Sequence, residues 1–183
     1  FLIDRWLGID CSGFIMHVLN EWHKVETGKS IWSKMKTNRP SFLRRLAYFL
    51  KPVENISANT ISNEENAFKV QINSVLPGDV IRSKWKRKNS HHILLVSKVH
   101  READGDVKEI EYVNSTEQYG EKNGVRHGKI AITHPNKPLA SQHWVDEDEH
   151  GVNHTFEGFE FEVKDNGLRR LHAMDEIINS KYN

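Results

Sequence analysis

Cysteine occurs once in 183 residues, so no disulfide can form within the chain. The fold must hold without staples, either in a reducing compartment or as a secreted bacterial-type domain. Charge of one sign is missing too: 26 Lys+Arg against 25 Asp+Glu leave a formal net charge of +1. That balance gives no global drive toward nucleic acid or membrane, and confines any basic patch to a local stretch. No apolar run approaches the length of a membrane span, and no signal peptide is evident. Internal repeats and low-complexity tracts are lacking as well. The opening Phe1-Leu2-Ile3-Asp4 reads as the interior of a longer protein, with an N-terminal part expected upstream.

The composition that remains, 37 % apolar and 28 % charged, suits one domain over residues 1–183 with generous loops. Ile15, Val18, Leu19 and Trp22 recur at helical spacing, predicting a helix from Cys11 to about Lys24 that ends before Gly28. Ile31 to Leu50 is basic and aromatic, and reads as a short amphipathic helix stopped by Pro52. Val53 to Ser74 is polar and reads as an irregular loop. Strands follow. Leu76 to Ile81 is a turn feeding a strand, His92 to Val99 is apolar on both faces, and Val107 to Val113 returns after the Asp104-Gly105-Asp106 turn. Val125 to Ile132, then Phe159, Phe161 and Val163 in alternation, and finally Gly167 to Leu171 complete the set. One helix followed by a meander of about five strands predicts an α+β domain.

The lone Cys11 falls in the first turn of the first helix, with Asp10 placed to cap it. A thiol there feels the positive end of the helix dipole, which lowers its pKa, so Cys11 is a candidate nucleophile. Such a nucleophile needs a base, and that base needs an orienting group. His92 opens the central strand in phase with Leu94 and Val96; its ring faces whichever helix covers that side, and meets the thiol if that helix starts at Cys11. His91 points to the other face. Asn114 ends the next strand in phase with Ile110 and Tyr112, where it can accept the imidazole N–H; as a turn residue it would do nothing of the kind.

Gly8-Ile9-Asp10-Cys11-Ser12-Gly13-Phe14, Leu76-Pro77-Gly78-Asp79-Val80 and His92-Ile93-Leu94-Leu95-Val96 together resemble the NlpC-type papain-like cell-wall peptidases, over Gly8 to about Ile132. The resemblance implies a papain-like α+β fold, a nucleophile helix on an antiparallel sheet of five or six strands. It implies Cys11 as nucleophile, His92 as base and Asn114 as orienting group, with a thioester acyl-enzyme. It further implies that Asp10 and Ser12 bind the substrate's amine, that the partners are peptidoglycan stem peptides, and that the protein works outside the cell or in its envelope. No cofactor, metal or nucleic acid is expected. The long interval between Cys11 and His92 locates an insertion or lid at 30–74. Other thiol acyl-transfer chemistry on the same scaffold (an acyltransferase, a transglutaminase-like enzyme or a deamidase) and a non-catalytic polyanion-binding or wall-binding module remain open.

Two further signals have plainer readings. His150 and His154 stand near Asp146, Glu147, Asp148 and Glu149, a pattern more typical of solvated loop than of a metal site. Arg82 to Lys88 is basic with one tryptophan, and reads as a charged hairpin loop.

Overall fold

A computed structural model describes residues 10–36, 56–85, 90–116, 124–146, 150–160 and 164–182. Seven strands form one antiparallel sheet: β1 (Ala67–Lys69), β2 (Val80–Trp85), β3 (Ser90–Arg101), β4 (Val107–Thr116), β5 (Gly124–Ala131), β6 (His143–Val145) and β7 (Gly167–Leu171). Their spatial order is β1-β7-β2-β3-β4-β5-β6, so the last strand of the chain enters the sheet between the first two. Four α-helices are present among the described residues: α1 (Cys11–Thr27), α2 (Ala58–Ser62), α3 (His154–Glu160) and α4 (Asp175–Tyr182). The α+β class expected from the pattern holds, with more strands than the five or six expected.

Strand alternation splits the core into two layers. Val80, Ile93, Leu95, Val113 and Leu171 face one side, where Ile15, Met16 and Leu19 of α1, Ile61 of α2 and Ile178 of α4 cover them. Ile81, Leu94, Val96, Ile110, Tyr112 and Leu168 face the other, against Phe159 of α3, Trp144 and Leu139. Helix α1 is capped as its sequence demands: Asp10 accepts the Gly13 N–H, and the Gly28 N–H closes on Lys24 at 2.8 Å.

Several segments differ from expectation. The stretch read as a loop over 53–74 supplies α2 and β1; β1 pairs with β7, about a hundred residues away, a partner no local pattern reveals. Phe159 belongs to helix α3 rather than to a strand. Apolar residues at i and i+2 satisfy strand alternation by coincidence here, because Phe156 and Phe159 sit on the helix face that meets Trp144. Phe161 and Val163 lie outside the described residues. Of the helix expected over 31–50, a 3-10 turn at Ile31–Ser33 is described, and 37–55 lie outside the described residues. Arg82–Trp85 belong to β2 rather than to a loop, and 86–89 lie outside the described residues.

The Pro-Gly-Asp turn is anchored by a buried ion pair. Asp79, wholly buried, takes the Arg170 guanidinium in two-pronged fashion, Nε to Oδ1 at 2.7 Å and Nη2 to Oδ2 at 3.0 Å. Its Oδ2 also accepts the Leu76 N–H at 2.9 Å. Arg170 continues to the Ser74 carbonyl and to Asn179 of α4. Burial pushes the Asp79 carboxyl up, against the pull of Arg170, while Asp79 holds the Arg170 guanidinium above its ordinary value. Gly78 in the same turn has φ +97°, and a Cβ there would come 2.5 Å from the Trp22 ring of α1.

Two measurements test these packing arguments. Arg170→Met strands a buried carboxylate and is expected to lower stability by about 3–5 kcal/mol in urea unfolding. A loss below ~1 kcal/mol would remove the pair from its anchoring role. Gly128 faces Tyr112 across the β4–β5 ladder, and a Cβ there would stand 2.2 Å from the buried phenol ring. Gly128→Ala is therefore expected to cost about 1–3 kcal/mol by overpacking. Combined with Tyr112→Leu the two losses should be less than additive, because the ring that clashes is then gone.

Candidate functional site

The site forms where the sheet forks. The β3–β4 ladder runs from Arg101↔Val107 to Leu95↔Val113 and ends there. Beyond it, residues 90–94 of β3 stay paired to β2, while Asn114, Ser115 and Thr116 of β4 stay paired to β5. The two central strands thus part, and each frees backbone and side-chain groups into the gap.

Helix α1 packs across β3 and β4 with its N-terminus at this fork. The Cys11 sulfur is approached by the backbone N–H groups of Ile93, the amide next to His92, of Ser12 and of Cys11 itself. The cap is self-contained: Asp10 accepts the Gly13 N–H on one oxygen and the Ser12 hydroxyl on the other, at 3.2 Å. Ser12 is buried and Asp10 exposed, so the hydroxyl is committed to the cap and the carboxylate keeps an open side.

Across the gap, Asn114 is fully buried and its Nδ2 lies 3.1 Å from His92 Nε2. Thr155 of α3 stands behind it, Oγ1 3.5 Å from the same nitrogen. Asn114 Oδ1 is buried with no hydrogen-bond partner among the described residues. The amide drawn this way donates to an unprotonated Nε2. Turned by half a rotation it presents Oδ1 to an Nε2–H instead, and the Thr155 hydroxyl can rotate to serve either atom. Beyond Asn114, Arg126 of β5 pairs with Asp146 at 2.6 Å and forms the far polar wall.

Two expectations need correction. His92, Leu94, Val96 and Asn114 share the face covered by α3, whereas α1 covers the face of Ile93 and Leu95. Cys11 therefore does not face His92 over a common sheet surface; it meets the strand edge at Ile93 through the fork. Alternation puts His91, rather than His92, on the α1 side. The thiol is also not acidified in the free protein. Burial pushes Cys11 up to about 11, and Asp10 adds to this, outweighing the three amides that pull it down. Loss of solvation pushes the partly buried His92 imidazole down to about 4. At neutral pH the pair is thiol and neutral imidazole. Helix-end placement alone was the signal for a low pKa, and it ignored the depth at which the sulfur sits.

Ser83 and Thr155 escaped the sequence reading. Ser83 sits opposite His92 on β2, fully buried, with its hydroxyl unpartnered among the described residues. Its signal was the cross-strand register, which no single strand displays. Thr155 lay in a stretch to which the sequence pattern assigned no element.

Away from the fork, one group of three among the described residues could hold a metal: His100, Glu109 and Glu111. His100 Nε2 lies 2.6 Å from Glu111, and Lys129 Nζ lies 3.1 Å from Glu109. The imidazole hydrogen bond and the ammonium hold the Glu111 carboxyl below the usual range, so the cluster satisfies its own charge.

No curated protein and no solved structure matches the chain. A family model does: that of the family described as Putative amidase domain matches residues 3–129, which include Cys11, His92 and Asn114. The match covers well over half of the chain, and the chain belongs to that amidase family, a hydrolase assignment that implies amide-bond hydrolysis in general.

Proposed function

We propose that this protein is a cysteine amidase in which Cys11, His92 and Asn114 act together on the peptide stems of bacterial cell walls. One observation carries the reading: the Asn114–His92 contact lies at the fork where the Ile93 amide approaches the Cys11 sulfur. His92 Nδ1 has no hydrogen bond among the described residues, and it is the ring nitrogen to which we assign the Cys11 proton, reached past the strand edge at Ile93. With Asn114 Oδ1 accepting the Nε2–H, Nδ1 keeps its lone pair and can act as a base.

Substrate binding then starts the chemistry from a neutral pair. The Cys11 proton passes to Nδ1 as the sulfur attacks the amide carbonyl, forming a tetrahedral oxyanion. Backbone N–H groups at the start of α1 face the reacting carbon and offset the oxyanion's charge. The imidazolium gives its proton to the departing amine, leaving a thioester on Cys11. Water, deprotonated by His92, attacks the thioester and releases the acid. Asp10, exposed beside the nucleophile, is the group we assign to the substrate's ammonium. The order Cys, His, Asn and the resemblance to NlpC-type peptidases support stem peptides as substrate. Such a substrate is met in the envelope or outside the cell, and we propose that location for the protein.

The test is digestion of purified peptidoglycan fragments followed by mass spectrometry. Cys11→Ala and His92→Ala are expected to lower turnover by roughly 10³-fold or more, and Asn114→Ala by about 10–100-fold. His91→Ala should stay within a few-fold. Activity that survives Cys11→Ala would end the proposal, and a reversal of the two histidines would move the base to His91.

Titration gives a second test. A thiol near 11 predicts that iodoacetamide reacts with Cys11 ever faster from pH 7 to 10, with no plateau at acid pH. A plateau below pH 7 would mean a preformed thiolate–imidazolium pair. For stability, His92 titrates near 6.5 when unfolded and near 4 when folded, so protonation favours the unfolded chain. Its contribution is complete above pH 6.5 and is lost as pH falls toward 4, amounting to about 2–3 kcal/mol. Chemical unfolding across this range should show that slope, and His92→Gln should flatten it.

A further inference from the structure

On the α3 face of the sheet, one buried hydroxyl is unengaged in the resting protein. Ser83 of β2 is 0 % exposed, and its Oγ makes no hydrogen bond among the described residues. The buried Ser12 and Ser62 hydroxyls, by contrast, donate to the Asp10 carboxylate at 3.2 Å and to the Ala58 carbonyl at 2.7 Å. A hydroxyl taken out of water without a partner is costly where an alanine methyl is not. Register supplies its neighbour. Ser83 is paired directly with His92 of β3, and directly opposed side chains share a face with Cβ atoms about 4.5–5.5 Å apart. On that face His92 meets Asn114, and α3 packs over β2. Lost solvation pulls the resting imidazole down to about 4, with no neighbouring charge acting on it among the described residues.

We propose that Ser83 is a positioning residue for His92, its hydroxyl oxygen turning toward the ring when the ring carries a proton on both nitrogens. The inference rests on the reading of His92 as the base. While the ring is neutral the hydroxyl dipole meets no charge and is free to point either way. Once the Cys11 proton reaches Nδ1, a positive charge stands in a site poor in water. A dipole that rotates without breaking any bond then turns its negative end to that charge. No atom passes to or from Ser83: it keeps its proton, and the proton on Nδ1 goes on to the departing amine. Asn114 holds Nε2–H at the same moment, so the ring is steadied from β2 and from β4, the strands on either side of β3. The charged and titratable groups on the other elements here are Cys11 with Asp10, Arg126 with Asp146, and His154 with Glu157 on α3. Arg82 and Lys84 of β2 lie on the opposite face. All of them are kept in a Ser83 variant, so a change in His92 titration there reports the hydroxyl.

The experiment compares the parent chain with Ser83→Ala and Ser83→Thr in three assays: digestion of peptidoglycan fragments, urea unfolding, and NMR titration of carbon-13-labelled histidines. The His92 signal is assigned by its loss in His92→Gln. Ser83→Ala is expected to lower kcat about 3–10-fold with KM within about twofold, and to titrate His92 lower by about 0.5–1 pH unit, one effect read two ways. Its stability should be equal or higher, because an unpartnered hydroxyl has gone. Ser83→Thr keeps the hydroxyl and should stay near the parent in kcat and in titration. Its added methyl is the one threat to folding, and Ser83→Ala decides without it. A merely structural serine would give the reverse pattern, lower stability with an unmoved titration, and that result would overturn the inference. The NMR reading needs no substrate. A lowered His92 titration in Ser83→Ala beside a parent chain that cleaves nothing would support the Ser83–His92 coupling and end the amidase reading. Turnover lost in His92→Gln but unchanged in Ser83→Ala, with the ring unshifted, would sink the Ser83 role alone.

Discussion

Backbone pairing between β3 and β4 stops at Leu95↔Val113, and the candidate site depends on that stop. A continuous ladder would bury the Ile93 amide in a strand–strand hydrogen bond and press the His92 and Asn114 backbones together. The parted strands instead leave the amide facing the Cys11 sulfur, and let the two side chains bond where the main chains do not. The gap is held open from outside. β2 keeps residues 90–94 of β3 in register, and β5 keeps Asn114 to Thr116, so neither strand can relax into the other. Helix α1 lies over one face of the opening and α3 over the opposite face, each supplying one polar contact, Cys11 and Thr155 respectively.

Enclosure at the fork sets the electrostatics. The same burial drives the thiol up and the imidazole down, so both shifts favour the uncharged pair. A neutral resting state carries little desolvation cost, which suits a site packed against two cores. In the reaction we propose, it also makes the helix-end amides more useful late than early, because they would meet negative charge only once the sulfur had attacked and the carbonyl oxygen had become an oxyanion. Pre-positioned donors that find no charge in the resting protein contribute selectively to the transition state.

How much of this was legible depends on the range over which each feature is specified. Asp10, Cys11 and Gly28 are local signals, and the helix they bracket begins where the cap residue says it must. His92 and Asn114 were found by phase along single strands, which is enough to place both on one face, and they do touch. Phase cannot say which helix covers that face, because this is decided by the crossover that sends α1 to the other side. Depth is equally invisible: Cys11 looks like any helix-start thiol until the core around Ile15, Ile93 and Leu95 is assembled over it. The polar stretch before Pro77 looked structureless because β1 finds its partner in β7, and three residues carry no periodicity of their own.

That pairing also changes how the chain divides. The family match ends at residue 129, yet β7 lies between β1 and β2, so the sheet beneath the matched region is completed by residues beyond it. Arg170 of β7 neutralises Asp79 in the Pro-Gly-Asp turn, and that turn starts the strand whose far end aligns Ser83 with His92. α3, also beyond the match, backs Asn114. A sheet interrupted at β2 would expose the Asp79 carboxylate and the edge that keeps 90–94 in register. The fork would then lose one of the two ladders that hold it open. The last third of the chain is therefore part of the scaffold that holds Cys11, His92 and Asn114 around the fork, and its buried arginine is as much a condition of the candidate site as the cap on α1.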